Sequence, residues 1–242
     1  MKSRKVTEAG RAAAQDPKAA LHGKWYQDAC AAAFAMELIG ERWTLPIVRE
    51  LMLGGRRFSD IRASLPAISA KVLTERLESL ESGGIVTRRA VTAPLPMKLY
   101  ELTDWGIGLE PVMAALGRWS MESPLHNPQL PLTPVSLMLS MRTMLDSPKA
   151  RDWQARVGLE VGPQRFIGRV GDGALAIARA GENPEPTDFV LRGPDANAFL
   201  PVLYGKRPLG SAGTRLEAEG DPALVQRFID LFALPAKRRV AG

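Results

Sequence analysis

The stretch Phe58–Arg89, FSDIRASLPAISAKVLTERLESLESGGIVTRR, decides how the first half of this chain is read. Phe58, Ile61 and Leu65 recur at helical spacing and end at a proline turn, Leu65-Pro66-Ala67-Ile68. Ser69 can accept from the free N–H groups at a helix start, and behind it Leu73, Leu77 and Leu80 fall at i, i+4 and i+7. One face of this second helix therefore points inward. Lys71, Glu75 and Glu78 lie on the other side, with Ser69, Val72 and Arg76 flanking the amino end. A short helix, a turn and a helix with a polar front suit an element laid in the major groove of DNA; an ordinary helical hairpin fits the same spacing.

The next residues favour the first reading. Gly83-Gly84 ends the helix, Ile85–Val91 reads as a strand, Thr92–Met97 as a loop and Lys98–Leu102 as the returning strand. A hairpin directly after a helix-turn-helix is a winged-helix arrangement. Arg88, Arg89 and Lys98 give the wing its charge, and Arg56-Arg57 stand where such a unit meets phosphate, a solvated turn being the alternative for that pair.

Upstream, an Ala-rich helix carries Phe34 and Leu38 and breaks at Gly40, and Glu41–Met52 is expected to form the helix beneath the DNA-reading pair. Together with the lead containing Cys30, the segments ELIGERWTLPIVREL (37–51), RRFSDIRASLPAISAKVLTERLESLESGGIV (56–86) and YELTDWGIGLEPVMAALGRW (100–119) resemble an HxlR-type winged helix-turn-helix regulator. The resemblance implies a homodimer on double-stranded operator DNA, usually a repressor; the residues that the helix, turn and wing pattern places toward the DNA are Arg56, Arg57, Ser69, Lys71, Val72, Glu75, Arg76, Arg88, Arg89 and Lys98. Pro46 departs from the pattern and is tolerable only in the first turn of its helix. Cys30 is read as an inert small thiol, as an incidental surface residue or, as the resemblance suggests, as a redox sensor; no second cysteine exists to resolve it within the chain.

Thr103 can cap a helix running to about residue 122, in which Trp105, Leu109, Val112, Leu116 and Trp119 fall at spacings of 4, 3, 4 and 3. This stripe is expected to be the dimer interface, intramolecular core being the other use of such spacing. Pro124, Pro128, Pro131 and Pro134 then mark a stiff boundary. Four segments follow from this: a basic tail over 1–22 expected to be flexible, a DNA-binding and dimerisation domain over 23–122, a linker over 123–133 and a second domain over 134–242.

In the second domain, Thr133-Pro134 opens an apolar helix, residues 153–161 alternate as a strand, and Gly171-Asp172-Gly173 joins a hairpin. A strand over 187–192, a helix over 195–204, a strand over 214–219 and a last helix capped by Asp221 with Pro222 complete it. The order predicts an antiparallel sheet with helices on one side, an α+β class like that of the whole chain. TDFVLRGPDANAFLPVLYGKRP and TRLEAEGDPALVQRFIDLF resemble the sterol carrier protein type-2 family. That implies an apolar tunnel for a hydrophobic small molecule, with Leu137, Met138, Met141, Phe199, Leu203, Phe228, Ile229 and Phe232 as lining; a closed core accommodates the same residues.

The 242 residues carry a net charge of +6, which favours polyanionic partners, but neither half of the chain holds the excess. A single cysteine argues against a disulfide framework and for a reducing, cytoplasmic setting. No apolar run is long enough to span a bilayer. His22 and His126 lack metal-ligand spacing, and no nucleophile elbow, P-loop or dinucleotide fingerprint occurs, so no enzyme, metal or cofactor is expected. The sequence thus points to a ligand-sensing DNA-binding regulator, the alternative being a lipid carrier whose amino-terminal part only dimerises or docks.

Overall fold

The computed structural model describes residues 25–92 and 96–238. The expected tail over 1–22 and the tip of the wing lie outside them. The chain divides into two compact units, Met1–Leu109 and Glu110–Gly242.

In the first unit, α1 (Ala31–Ile39) is followed by α2 (Thr44–Leu51), α3 (Phe58–Ser64) and α4 (Ala70–Ser82), and then by the hairpin β1 (Val86–Val91) and β2 (Met97–Leu102). Helix α2 starts three residues later than the sequence reading placed it. Trp43, with φ 77°, turns the chain into it from a left-handed conformation, its ring carrying the Arg42 guanidinium at 5.2 Å. Pro46 thereby becomes the third helical residue, where its missing N–H is one that has no intrahelical acceptor anyway. Ile47, Val48 and Leu51 of α2, Ile61 of α3, and Leu73, Leu77 and Leu80 of α4 form the core. Truncating such a leucine to alanine costs about 2–5 kcal/mol.

One buried ion pair fastens the unit. Glu50 has a fully buried side chain and accepts from Arg56 Nη1 at 2.8 Å and from Arg49 at 3.1 Å. Arg56 also donates to Ser64 Oγ at 2.9 Å, and its backbone exchanges two hydrogen bonds with Tyr100, at 3.0 and 2.8 Å. Helices α2 and α3 and the base of the wing are thus tied through one residue. The expected helix from Thr103 is broken: Thr103 caps α5 (Asp104–Ile107), and Gly108 separates it from α6 (Leu109–Met121). Gly106 is required in α5, because a Cβ there would lie 2.2 Å from the Ile85 carbonyl oxygen.

In the second unit, α6 is held by Glu110–Arg142 at 2.8 Å and by Arg118 donating to the Thr143 carbonyl at 2.6 Å. Its last carbonyls are capped from the far end of the chain, Lys237 Nζ donating to Met121 O at 2.8 Å and to Ser123 O at 3.0 Å. Asn197 bonds the end of the proline-rich segment at Leu130 and Leu132. Beyond it come α7 (Pro134–Thr143), capped by Thr133, and α8 (Ser147–Ala150). The strands are β3 (Ala155–Val161), β4 (Gln164–Gly171), β5 (Ala174–Arg179), β6 (Phe189–Gly193) and β7 (Glu217–Gly220), in sheet order β5-β4-β3-β6-β7.

The sheet is mixed rather than antiparallel as expected. Strands β3 and β6 run parallel from Val157↔Phe189 to Val161↔Gly193. Asp188 sets this register, its N–H bonding the Arg156 carbonyl and its carboxylate accepting from Arg156 N–H at 2.7 Å. That places Phe189 and Leu191 on the buried face with Val157 and Leu159. The helix expected over 195–204 is a 3-10 turn, Ala196–Ala198, followed by the short α9 (Leu200–Leu203). The last helix, α10 (Pro222–Ile229), has its Asp221 cap.

The residues proposed to line a tunnel form a closed core. Leu137, Met138, Met141, Phe199, Leu203, Phe228 and Phe232 each expose 0% of their surface, and Ile229 only 3%. A side chain bordering a water-sized space would show accessible area, so none of the seven lines an open cavity. The rings of Phe228 and Phe232 pack edge-on at 5.0 Å, and Phe189 lies 5.5 Å from Phe228.

Removing the Glu50 carboxylate strands the Arg56 charge, so Glu50→Ala is expected to cost about 3–5 kcal/mol of stability in urea titration. Glu50→Leu combined with Arg56→Met is expected to recover most of that loss.

Candidate nucleic-acid interface

The front of α4 is built by its cap. Ser69 Oγ accepts from Val72 N–H at 3.2 Å, so its acceptor serves the helix. With the leucines buried behind, Lys71 stands with 86% of its side chain exposed, 3.9 Å from Glu75. Glu75, Glu78 and Thr74 are exposed, and Val72 is half-buried. At its amino end α4 presents an exposed turn whose backbone N–H groups and Lys71 favour an anionic partner.

Arg76 does not join this front. It is paired with Glu41, and only 16% of its side chain is exposed, so it braces α4 against the segment before α2. Arg56 likewise leaves the DNA-facing set, since the buried Glu50 holds it. Arg56 turns back across the Gly54-Gly55 turn to a carboxylate on the preceding helix, whereas the partner of Arg76 lies far away in sequence. Arg57 is exposed but bonded to Asp60 at 3.0 Å, which raises the guanidinium pKa.

On the wing, β1 and β2 pair in register from Val86↔Leu102 to Val91↔Met97. Arg88 bonds Glu81 at 2.8 Å and lies 5.4 Å from the Tyr100 ring centre. Arg89 donates to both Glu101 oxygens at 2.9 Å and again to Oε1 at 2.6 Å. That bonding holds the Glu101 carboxyl below the usual carboxylate range. Lys98 is exposed and forms no ion pair among the described residues. Sequence reasoning missed Arg62, exposed near the end of α3 and also without an ion pair among the described residues. Its place outside the Phe58, Ile61, Leu65 stripe was the available signal.

Trp105 on α5 is exposed, and no residue of α6 is buried. Val112, Leu116 and Trp119 are exposed, Trp119 by 71%, and Leu109 is half-buried. Cys30 sits exposed at the amino end of α1, its thiol pKa lowered by the backbone N–H of Ala33 and then of Ala32. Among the described residues no cluster of His, Cys, Asp and Glu could hold a metal ion, and no helix is long and apolar enough to cross a membrane.

A capped helix with a solvent-facing front, packed on a three-helix body and followed by a basic hairpin, is a winged-helix DNA-binding unit. The profile of HxlR-like helix-turn-helix proteins matches residues 38–127. The chain is 40% identical over 89 residues to the uncharacterized HTH-type transcriptional regulator YvaP of Bacillus subtilis, covering 36% of this chain and 82% of that one. It is 37% identical over 86 residues to the HTH-type transcriptional regulator YodB of the same organism, covering 36% of this chain and 77% of that one. The solved reduced form of YodB, at 33% identity, spans 40% of this chain and 97% of that one with a TM-score of 0.38. The chain belongs to the HxlR-like helix-turn-helix family, and it is a DNA-binding transcriptional regulator.

Substituting the exposed lysines Lys71 and Lys98 separates contact from scaffold. Lys71→Ala and Lys98→Ala are each expected to flatten the dependence of log affinity on log salt by about 0.9 without changing stability. Arg76→Ala is expected instead to lower the unfolding midpoint along with affinity.

Proposed function

We propose that this regulator binds operator DNA as a homodimer, with the front of α4 in the major groove and the wing on the adjoining backbone. The observation that carries this reading is the opposition within α4: Leu73, Leu77 and Leu80 are shut into the core while Lys71 stands clear. Lys71, Glu75 and Thr74 meet base edges. Arg57, Arg62 and Lys98 meet phosphates, with Arg88 and Arg89 beside them, and Ser69 holds the helix front in place. Dimerisation is assigned to α6, which buries none of its own residues and turns Val112, Leu116 and Trp119 to solvent. Two copies joined there would set two reading helices about 34 Å apart along one face of the duplex. By family resemblance, occupancy represses transcription.

The second unit is proposed to sense a hydrophobic small molecule. With the core closed, a cleft of about 490 Å³ at the end of α6, lined by Trp119, Ser120, Glu122, Ser123, Leu125, His126 and Arg238, is the better place for it. A ligand there lies against the proposed dimer helix, so its preference for one conformer biases DNA affinity. The closed core counts against the carrier alternative. Cys30 supports a second mode of control, because it is exposed at a helix start whose backbone N–H groups lower its thiol pKa, the direction that favours reaction with oxidants.

Three measurements test these assignments. Leu116→Glu is expected to shift the protein to monomer in sedimentation and to weaken operator-length duplex binding at least tenfold, whereas an unchanged dimer removes α6 from the interface. Titration with a hydrophobic probe such as a long-chain fatty acid is expected to quench fluorescence in the wild type and not in Trp119→Phe. Iodoacetamide labelling of the sole cysteine is expected to show a pH midpoint below that of a free cysteine peptide labelled alongside, and an equal or higher midpoint would remove the thiol reading.

A further inference from the structure

The wing arginines are held in place before any DNA arrives. Arg88 is fixed on two sides, by Glu81 at the end of α4 at 2.8 Å and by the Tyr100 ring. Arg89 is gripped by both oxygens of Glu101, a residue on the opposite strand whose register partner is Thr87. Gly55 makes room for this arrangement, since a Cβ there would lie 2.5 Å from Glu101 Cγ. These pairs are open to solvent: 40% of the Arg88 side chain and 55% of the Arg89 side chain remain exposed. Exposed pairs of this kind are weak enough to be exchanged for another anion. By contrast Lys98, on the same face of the hairpin as Arg88 and Tyr100, has no carboxylate beside it among the described residues.

We propose that Glu81 and Glu101 set the specificity of the wing by masking Arg88 and Arg89, so that these arginines add little sequence-independent attraction to DNA. The inference rests on the wing facing DNA, as read above. Its physics is ion bookkeeping. An unpaired arginine that reaches a phosphate releases the cation condensed there. An arginine that carries its carboxylate with it approaches the phosphates as part of a pair of almost no net charge, so few condensed cations are displaced and the net release is close to nil. The masked arginines therefore contribute only where the local shape of the duplex brings phosphates close enough to compete with the carboxylates. Nonspecific binding is left to Lys98, Arg62 and the backbone amides, and to Lys71, whose pairing with Glu75 is loose at 3.9 Å against 2.8 and 2.6 Å on the wing.

The test is fluorescence anisotropy of the full chain on a mixed-sequence duplex across 50–200 mM salt, comparing wild type with Glu81→Gln, Glu101→Gln, Lys98→Ala and the double variant Arg89→Gln/Glu101→Gln. Each glutamine variant is expected to steepen the salt slope by about 0.9 and to bind roughly 5–10-fold tighter near ~0.1 M salt. The double variant, in which neither charge of the pair remains, is expected to return to the wild-type slope. Thermal unfolding of each variant reports whether it remains folded, and the double variant separates unmasking from any loose packing left by the glutamine. Wild-type slopes in both single glutamine variants, with a flatter slope in Lys98→Ala, would overturn the masking and leave the wing on DNA. A Lys98→Ala slope that is also unchanged would mean the wing does not touch DNA, overturning the wing assignment and the masking together.

Discussion

Glu50 is the residue on which the DNA-binding unit depends. A carboxylate removed from water is tolerable only when cations and donors surround it. Here Arg56 and Arg49 do so, at 2.8 and 3.1 Å. Because Arg56 also pairs its backbone with Tyr100, the charge that neutralises Glu50 fixes where the wing leaves the helical body. The arrangement makes the angle between reading helix and wing a property of the core rather than of a flexible loop. Arg76 and Glu41 extend the same principle to α4, bracing it from its half-buried flank while Lys71 stays clear.

This use of charge explains why a modestly basic protein leaves so few free cations around α4 and the wing. Of Arg56, Arg57, Arg62, Arg76, Arg88 and Arg89, one is committed to the core, one to bracing and three to carboxylates within the unit, and Arg62 has no ion pair among the described residues. In the proposed reading, recognition falls to a small number of positioned groups. In the second unit the sheet's outer face is also internally paired: Arg192 bridges Glu160 and Glu219 at 2.8 and 2.6 Å, and Glu185 bonds Arg169 at 2.8 Å. That face offers an anionic partner little, which is consistent with DNA binding residing in the first unit.

The parts legible in the sequence were those set by local spacing. The buried stripe of α4, the Ser69, Thr133 and Asp221 caps, and the Asp172-Gly173 turn between β4 and β5 all follow from residues within one or two turns of one another. The start of α2 was less legible: the expected helix began at Glu41, and Pro46, tolerable only in a first turn, was the one sign that it begins later, at Thr44. What the spacing could not show was which side chains pair. Helical periodicity does not tell that Arg56 turns back to Glu50 on the preceding helix, or that Arg76 reaches the distant Glu41, so neither is distinguishable in the sequence from a DNA contact. The parallel β3–β6 pair arises from a crossover that strand periodicity does not encode. A closed core and a tunnel wall draw on the same Leu, Met and Phe residues, and only packing tells them apart.

The central claim is that the amino end of α4 reads bases, once per subunit of a two-fold pair. Selection of bound duplexes from a randomised pool tests it most directly, carried out with the wild type and with Lys71→Ala. The account predicts an enriched inverted repeat with half-sites about 10 base pairs or a multiple apart, and a change of base preference confined to the half-sites in the variant. Enrichment of no sequence, or of an asymmetric site that Lys71→Ala leaves unaltered, would contradict it.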